Sequence, residues 1–425
     1  MVKYNSINKN LFVQNREKLN LELKQNSIVI LSSNKLMYRN GNQEYVFRQN
    51  SDFFYLSGID QEESVVILCP NHENEKYREI LFVAETNEKI KIWNGPKYTK
   101  NEAAEISGIN NVYCLSELES ILEILIKDVE NMYYNDFPGF EKSNSIVDNL
   151  LKANTKCKIE RLSPILKTLR IKKEPEEIEL LQQACDITEK AFSRVLTAVK
   201  PNIGEYEIEA EIAYEFIRNR ANGSAYPSIV ASGKNACILH YIDNNSICKD
   251  GDLLLMDFGA EYANYAADCS RTIPVSGKFT SRQKECYNAV LQVMNNAIKM
   301  MVPGNTIGKI HFETCKMLQA EHVNLGLYTE EDIKNQDSEN PLWKKYYPHG
   351  TSHFIGLDVH DVGDKETILE EGMVLSCEPG LYIPDEDLGI RIEDDIVVGN
   401  PPRNLLQNVP KEVVDIENLM NAENN

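Results

Sequence analysis

No apolar run in the chain is long enough to cross a bilayer. The longest, such as Val65-Val66-Ile67-Leu68-Cys69, stop after a few residues, whereas a spanning helix needs about 20. The N-terminus is polar and rich in Asn and Lys, with no secretory apolar region. Cys-x-x-Cys pairs are missing and the ten cysteines are scattered. That pattern excludes a dense disulfide framework and reads as reduced, partly buried thiols. Basic side chains are in deficit, 45 against 65 acidic ones, for a net charge of −20. Such a field repels phosphate backbones. Short repeats and low-complexity segments are also missing. These absences together predict a soluble cytoplasmic protein with neither a nucleic acid nor a membrane as partner.

What is present suits a folded enzyme-sized chain. Its 425 residues exceed one ordinary core and predict two domains. The 42% hydrophobic and 26% charged composition is globular. Residues 1–160 read as a mixed α/β domain, with short β-rich runs at 27–31, 64–68 and 79–83. The polar stretch 143–158 carries the expected boundary. Residues 161–410 read as a second, α+β domain with antiparallel strands. Its first helix opens at Pro175 among acids and keeps helical spacing through Ile178, Leu181, Cys185, Phe192 and Val195 until Pro201. A second helix is expected over 205–222, with Gly223 as its stop. A third opens at Thr280, with Gln283 completing a capping box, and runs to Met301. A fourth spans 307–325 and ends at Gly326. The acidic, Asn-rich tail, residues 411–425, is expected to fray.

The informative feature is a set of carboxylates inside apolar β runs. Asp257 interrupts Leu253-Leu254-Leu255-Met256-Asp257-Phe258-Gly259, and Asp268 follows in Tyr265-Ala266-Ala267-Asp268-Cys269. Glu378 interrupts Val374-Leu375-Ser376-Cys377-Glu378-Pro379, and Glu393 sits in Ile390-Arg391-Ile392-Glu393-Asp394-Asp395-Ile396. Any one of these acids could stand at a strand edge or a turn. A buried, isolated carboxylate costs several kcal/mol, and pairing or metal coordination is the usual remedy. Four together would repel one another unless protons or cations compensate them, and two divalent ions balance their charge.

Three of the seven histidines crowd into 349–360, at His349, His353 and His360. Gly350 and the alternating Leu357 and Val359 argue for extended chain there rather than a helix. The pattern is not a His-Glu-x-x-His zinc helix, which needs a glutamate after the first histidine. His240 stands in a further apolar run, Cys237-Ile238-Leu239-His240-Tyr241. His72, His311 and His322 read as ordinary surface or helix residues.

These motifs resemble the Xaa-Pro aminopeptidase (aminopeptidase P) branch of the pita-bread metallopeptidases. The likeness rests on Met256-Asp257-Phe258-Gly259, Asp268-Cys269-Ser270-Arg271-Thr272, and His349-Gly350-Thr351-Ser352-His353 through His360-Asp361-Val362-Gly363. It continues in Cys377-Glu378-Pro379-Gly380-Leu381-Tyr382 and Gly389-Ile390-Arg391-Ile392-Glu393-Asp394. Upstream, Arg48-Gln49-Asn50-Ser51-Asp52-Phe53-Phe54-Tyr55-Leu56-Ser57-Gly58 is similar to a segment of the N-terminal domain of aminopeptidase P and prolidase. The resemblance implies an α+β chain, with a creatinase-like N-terminal α/β domain followed by a pita-bread catalytic domain of antiparallel sheet and flanking helices.

It also implies five metal ligands, Asp257, Asp268, His353, Glu378 and Glu393, holding two divalent ions, and the oxygen-rich set suits Mn²⁺. His240, His360 and Glu378 match catalytic, proton-handling residues. His349, Tyr382 and Arg391 match residues on the proline side of the pocket; Arg391 could equally pair with a ligand carboxylate. Trp93 resembles a tryptophan lent to a neighbouring subunit's site, with a core tryptophan as the alternative. Cys269 and Cys377, beside ligands, suit packing. The implied activity is removal of the N-terminal residue from peptides with proline second, by a metal-bridging hydroxide, in a homodimer or higher homo-oligomer. A proline dipeptidase limited to Xaa-Pro dipeptides, or a non-catalytic peptide-binding protein on the same fold, are the alternatives.

Overall fold

A computed structural model describes residues 2–134 and 157–422. The chain divides into two compact units, Met1–Arg170 and Ile171–Asn425. Most of the polar stretch assigned to the boundary, residues 143–156, lies outside the described residues.

The first unit is built on a mixed six-stranded sheet in the order Val112–Cys114, Glu79–Val83, Val65–Leu68, Ser27–Ser32, Asn131–Tyr134, Lys158–Arg161. The Val65–Leu68 strand is buried along its whole length, which is why it reads as a continuous apolar run rather than an alternation. Ile28, Ile30, Ile67, Ile80 and Phe82 pack there against Leu118, Leu122 and Leu125. The aminopeptidase-like segment forms a fully buried helix, Ser51–Ser57, capped by the Asn50 side chain on the Phe53 amide. Its Asp52 meets Arg170 at 2.7 Å. Trp93 lies on the short helix Glu88–Asn94 and is 78% exposed, so the core-tryptophan alternative fails.

In the second unit local signals set most helix ends. Pro175 and a Glu174/Glu177 capping box start the helix Pro175–Ala198. Thr280 and Gln283 cap Ser281–Ile298 in the same way, and Gly326, at φ +74°, follows the helix Ile307–Asn324. Two expectations are corrected. The helix Glu205–Arg218 ends at Asn219, with Arg220 taking the left-handed conformation at φ +71°. Gly223 is instead part of a strand. The tail does not fray throughout: Val413–Met420 is helical, Ile416 is buried, and Glu417 accepts the Phe279 amide at 2.9 Å.

Antiparallel strands carry the rest. One sheet pairs Ile229–Ser232, Leu253–Asp257 and Ser270–Pro274 in that order. Another begins with Val374–Cys377 beside Asp394–Val397, and a two-stranded ribbon joins Gly380–Ile383 to Leu388–Arg391. All pairings among these strands are antiparallel. Among the described residues, no helix is long and apolar enough to cross a membrane.

Candidate metal centre

Strand register gathers the acids. Asp257 ends its strand opposite Ser270, and Asp268 lies two residues before that partner. Cys377 pairs with Asp394, so Glu378 and Glu393, one residue beyond each, emerge at the same end of that pair. The polypeptide between the aspartates is tightly folded. A Cβ on Gly259 would come within 1.7 Å of the Ala267 carbonyl oxygen, so only glycine fits there.

The converged side chains line a cavity of about 250 Å³ together with His240, His349, His353, His360 and Arg391. Donor atoms of Asp268, His353 and Glu393 lie within 4.8 Å of one another. His353 Nε2 is 3.3 Å from Asp268 Oδ2 and 3.6 Å from Glu378 Oε1. Its backbone amide donates to Ser376 Oγ, and its Nδ1 is 3.1 Å from the Phe354 carbonyl, which holds the ring in place. Asp257 is held at both oxygens. Tyr226 Oη donates to Oδ1 at 2.6 Å and Arg391 Nη2 donates to Oδ2 at 2.7 Å. The Tyr226 hydroxyl is also 2.5 Å from Asp268 Oδ1. Ser270 Oγ donates to Glu393 Oε2 and accepts from Arg391 Nε, both at 2.8 Å.

Charge balance shows why a cation fits this donor set. Burial raises the Asp257 carboxyl, and neighbouring Asp268 adds to the effect against the opposing Arg391. Burial and the surrounding acids push Glu378 up to about 7 and Glu393 well above its ordinary range. Burial acts to depress the His353 imidazolium, but the hydrogen bond to Asp268 and the charges of Glu378 and Asp268 prevail and lift it to about 9. These upward shifts mark a cluster short of positive charge. Carboxylate oxygens with a single imidazole nitrogen, starved of positive charge, are the donors that hard or borderline divalent cations accept.

The flanking residues are held by their neighbours. Burial and the Arg391 charge hold His349 down to about 3. Its Nε2 lies 2.8 Å from the Tyr382 hydroxyl, which also accepts from Arg391 Nη1 at 2.9 Å. Burial and His353 also depress His360, whose ring centroid is 4.4 Å from that of His353. Arg391 therefore does what its strand position allowed: it pairs with the Asp257 carboxylate while facing the cavity. Cys269 and Cys377 are buried, and burial pushes both thiols far up, as packing residues.

Every site residue expected from the sequence is in or against this cavity except Trp93, which belongs to the first unit. Sequence reasoning missed Tyr226, because a lone tyrosine in a Ser-Ala-Tyr-Pro turn carries no periodic or charge signal. It also missed His311, whose Nδ1 lies 3.0 Å from Thr351 Oγ1 in the histidine loop.

Residues 179–400 match the model of metallopeptidase family M24, and residues 12–134 match the aminopeptidase P N-terminal domain. The chain is 36% identical to the Xaa-Pro aminopeptidase of Haemophilus influenzae, over 96% of this chain and 97% of the relative. It is 35% identical to that of Escherichia coli, over 98% of each. A solved putative aminopeptidase P from Bacillus anthracis superposes with a TM-score of 0.91 at 34% identity, covering 99% of both chains. An aminopeptidase from Pseudomonas aeruginosa does so at 0.92 and 33% identity, again over 99% of both. With its acids delivered by strand register to one cavity, this chain belongs to metallopeptidase family M24, in the aminopeptidase P branch that carries the additional N-terminal domain.

Proposed function

We propose that the protein is a cytoplasmic Xaa-Pro aminopeptidase that uses two Mn²⁺ ions. The observation that carries the reading is the convergence of Asp257, Asp268, His353, Glu378 and Glu393 on one cavity. By likeness to the family, Asp257 would hold one ion, Asp268 and Glu393 would bridge both, and His353 with Glu378 would hold the second. Bound there, the pair supplies a hydroxide at neutral pH and polarises the scissile carbonyl.

The chain's own residues supply the rest. An X–Pro bond is a tertiary amide without an N–H, so the leaving proline nitrogen must receive a proton. Glu378 would be the group that accepts a proton from the attacking water and passes it to that nitrogen. His240 and His360 orient the peptide across the cavity mouth and exchange protons with it. His349, Tyr382 and Arg391 form a connected polar wall, held by bonds of 2.8 and 2.9 Å, against which the proline ring rests. Trp93, exposed on its helix, closes the site of a neighbouring copy in a homo-oligomer. The ten free cysteines accord with a reducing compartment.

The deciding experiment measures hydrolysis of Xaa-Pro, Xaa-Pro-Xaa and longer peptides by the purified protein with Mn²⁺. Cleavage of the longer peptides at the first bond is expected. Activity confined to the dipeptide would make the protein a proline dipeptidase, and no hydrolysis with no metal uptake would leave a binding protein.

A further inference from the structure

One buried carboxylate outside the metal centre has an unusual set of partners. Glu205 opens the helix Glu205–Arg218 and is fully buried. Its Oε1 accepts from the Ser232 amide and hydroxyl, both at 2.7 Å, and from Asn235 Nδ2 at 3.1 Å. Its Oε2 accepts from the Tyr241 hydroxyl at 2.7 Å and the Ser246 amide at 2.9 Å. The Glu205 amide in turn donates to the Ser246 carbonyl at 2.9 Å. A single side chain thus grips the start, middle and end of the segment 232–246.

That segment is a wall of the cavity. Leu239, His240 and Ile242 line it, and neighbouring Ile229 lines it from the strand that leads in. Tyr241 is buried and tied to Glu205, whereas His240 beside it is exposed on the cavity side. His240 is the last residue of a turn that follows the 3-10 helix Gly233–Cys237, so the Glu205 tie on Tyr241, the very next residue, limits where that turn can carry His240. Asn244 adds a second fastening, accepting the Val230 amide and donating to the Ser228 carbonyl, both at 2.9 Å. A carboxylate taking several donors in a buried setting is a strong fixed point. Burial alone would raise Glu205, but its amide and hydroxyl donors outweigh burial and hold it below the ordinary carboxylate range.

We propose that Glu205 is a positioning residue for peptide binding: it staples segment 232–246 so that His240, Leu239 and Ile242 present a preformed wall to the substrate. The inference rests on the aminopeptidase reading only for the identity of the peptide. Glu205 touches none of the metal-binding side chains, so its loss acts on binding of the peptide rather than on the ions.

The test uses the full-length protein with Mn²⁺ and compares wild type, Glu205→Ala, Glu205→Gln and Tyr241→Phe. Hydrogen–deuterium exchange should quicken across 233–246 in Glu205→Ala, while the Leu253–Asp257 strand stays protected. With an Xaa-Pro-Xaa peptide, KM should rise about tenfold or more, with kcat within about threefold and Mn²⁺ uptake unchanged. Glu205→Gln, which keeps one acceptor oxygen, should fall between. Tyr241→Phe removes one bond from a folded protein and should raise KM by a smaller factor, which serves if Glu205→Ala does not fold. Unchanged exchange and KM in both Glu205→Ala and Tyr241→Phe would overturn the proposal, as would a parallel loss of Mn²⁺ uptake. If the wild type cleaves no Xaa-Pro peptide, the functional reading fails, and the exchange data still decide whether Glu205 staples the wall.

Discussion

Arg391 and Asp257, 134 residues apart in the chain, meet at 2.7 Å between Nη2 and Oδ2 in the wall of the cavity. The same guanidinium donates to Ser270 and Tyr382, so one cation orients the Asp257 carboxylate, a serine on Glu393 and a tyrosine on His349. The planar guanidinium fork holds these three acceptors in one fixed geometry that the compact donors of a lysine ammonium do not reproduce.

Arg391→Lys is accordingly expected to keep the charge but lose the geometry. Two lost hydrogen bonds at about 1–1.5 kcal/mol each predict a fall in kcat/KM of about thirtyfold to a hundred-and-sixtyfold. Steady-state kinetics on an Xaa-Pro-Xaa peptide check this. Activity within about twofold of wild type would mean that the shared fork is dispensable.

Asp268→Asn removes a charge from the most crowded acids without changing shape. Turnover should fall by about a hundredfold to a thousandfold, the scale seen when one electrostatic stabiliser is lost. Circular dichroism should remain native. In the wild type, saturating Mn²⁺ should raise thermal stability, by about 2.7 kcal/mol at a hundredfold excess over Kd, and the variant should lose most of that gain. Wild-type turnover by the variant in excess Mn²⁺ would remove Asp268 from the site.

Lys173 and Asp361 form an enclosed ion pair, Nζ to Oδ2 at 2.9 Å, with side chains only 1% and 2% exposed. It anchors the loop just beyond His360. Lys173→Met or Asp361→Leu alone removes one partner of a buried pair and should cost about 3–5 kcal/mol. The double variant should cost clearly less than the sum. Strict additivity in a double-mutant cycle by chemical denaturation would show that the pair does not couple.

His322 is buried, with Nδ1 3.0 Å from the Tyr328 hydroxyl and its ring edge against Tyr346. Burial pushes it down to about 4 from 6.5. The unfolded chain therefore takes up this proton first as pH falls. The stability tied to the neutral ring is full above about 6.5 and is lost between about 6.5 and 4, at up to about 1.4 kcal/mol per pH unit. Denaturation measured across that range should show a shallower slope for His322→Phe than for wild type. Equal slopes would mean that His322 takes up a proton in the folded state.

Much of this could be read without coordinates where the cause is local. Pro175 with the Glu174/Glu177 box, and Thr280 with Gln283, start helices through bonds that span three residues, so a short window contains the whole cause. The acids at Asp257, Asp268, Glu378 and Glu393 stood out because each interrupts an apolar run. Locality also misled: Gly223 looked like a helix stop, but Asn219 and Arg220 end that helix four residues earlier. The acidic tail looked unstructured, yet Ile416 finds a buried seat and Glu417 caps a distant amide. Trp93 could be read as core from its residue type, and only its placement shows it exposed.

By itself the sequence determined the residue types and their order: which side chains can carry charge, where turns can form, and which runs must be buried. Tertiary structure alone decided which acids share a cavity, that Tyr226 joins Asp257 to Asp268, and that Glu205 fastens the wall bearing His240. The reason is physical. Those bonds link groups dozens to more than a hundred residues apart, and their lengths depend on strand register and chain path, which no short stretch of residues contains.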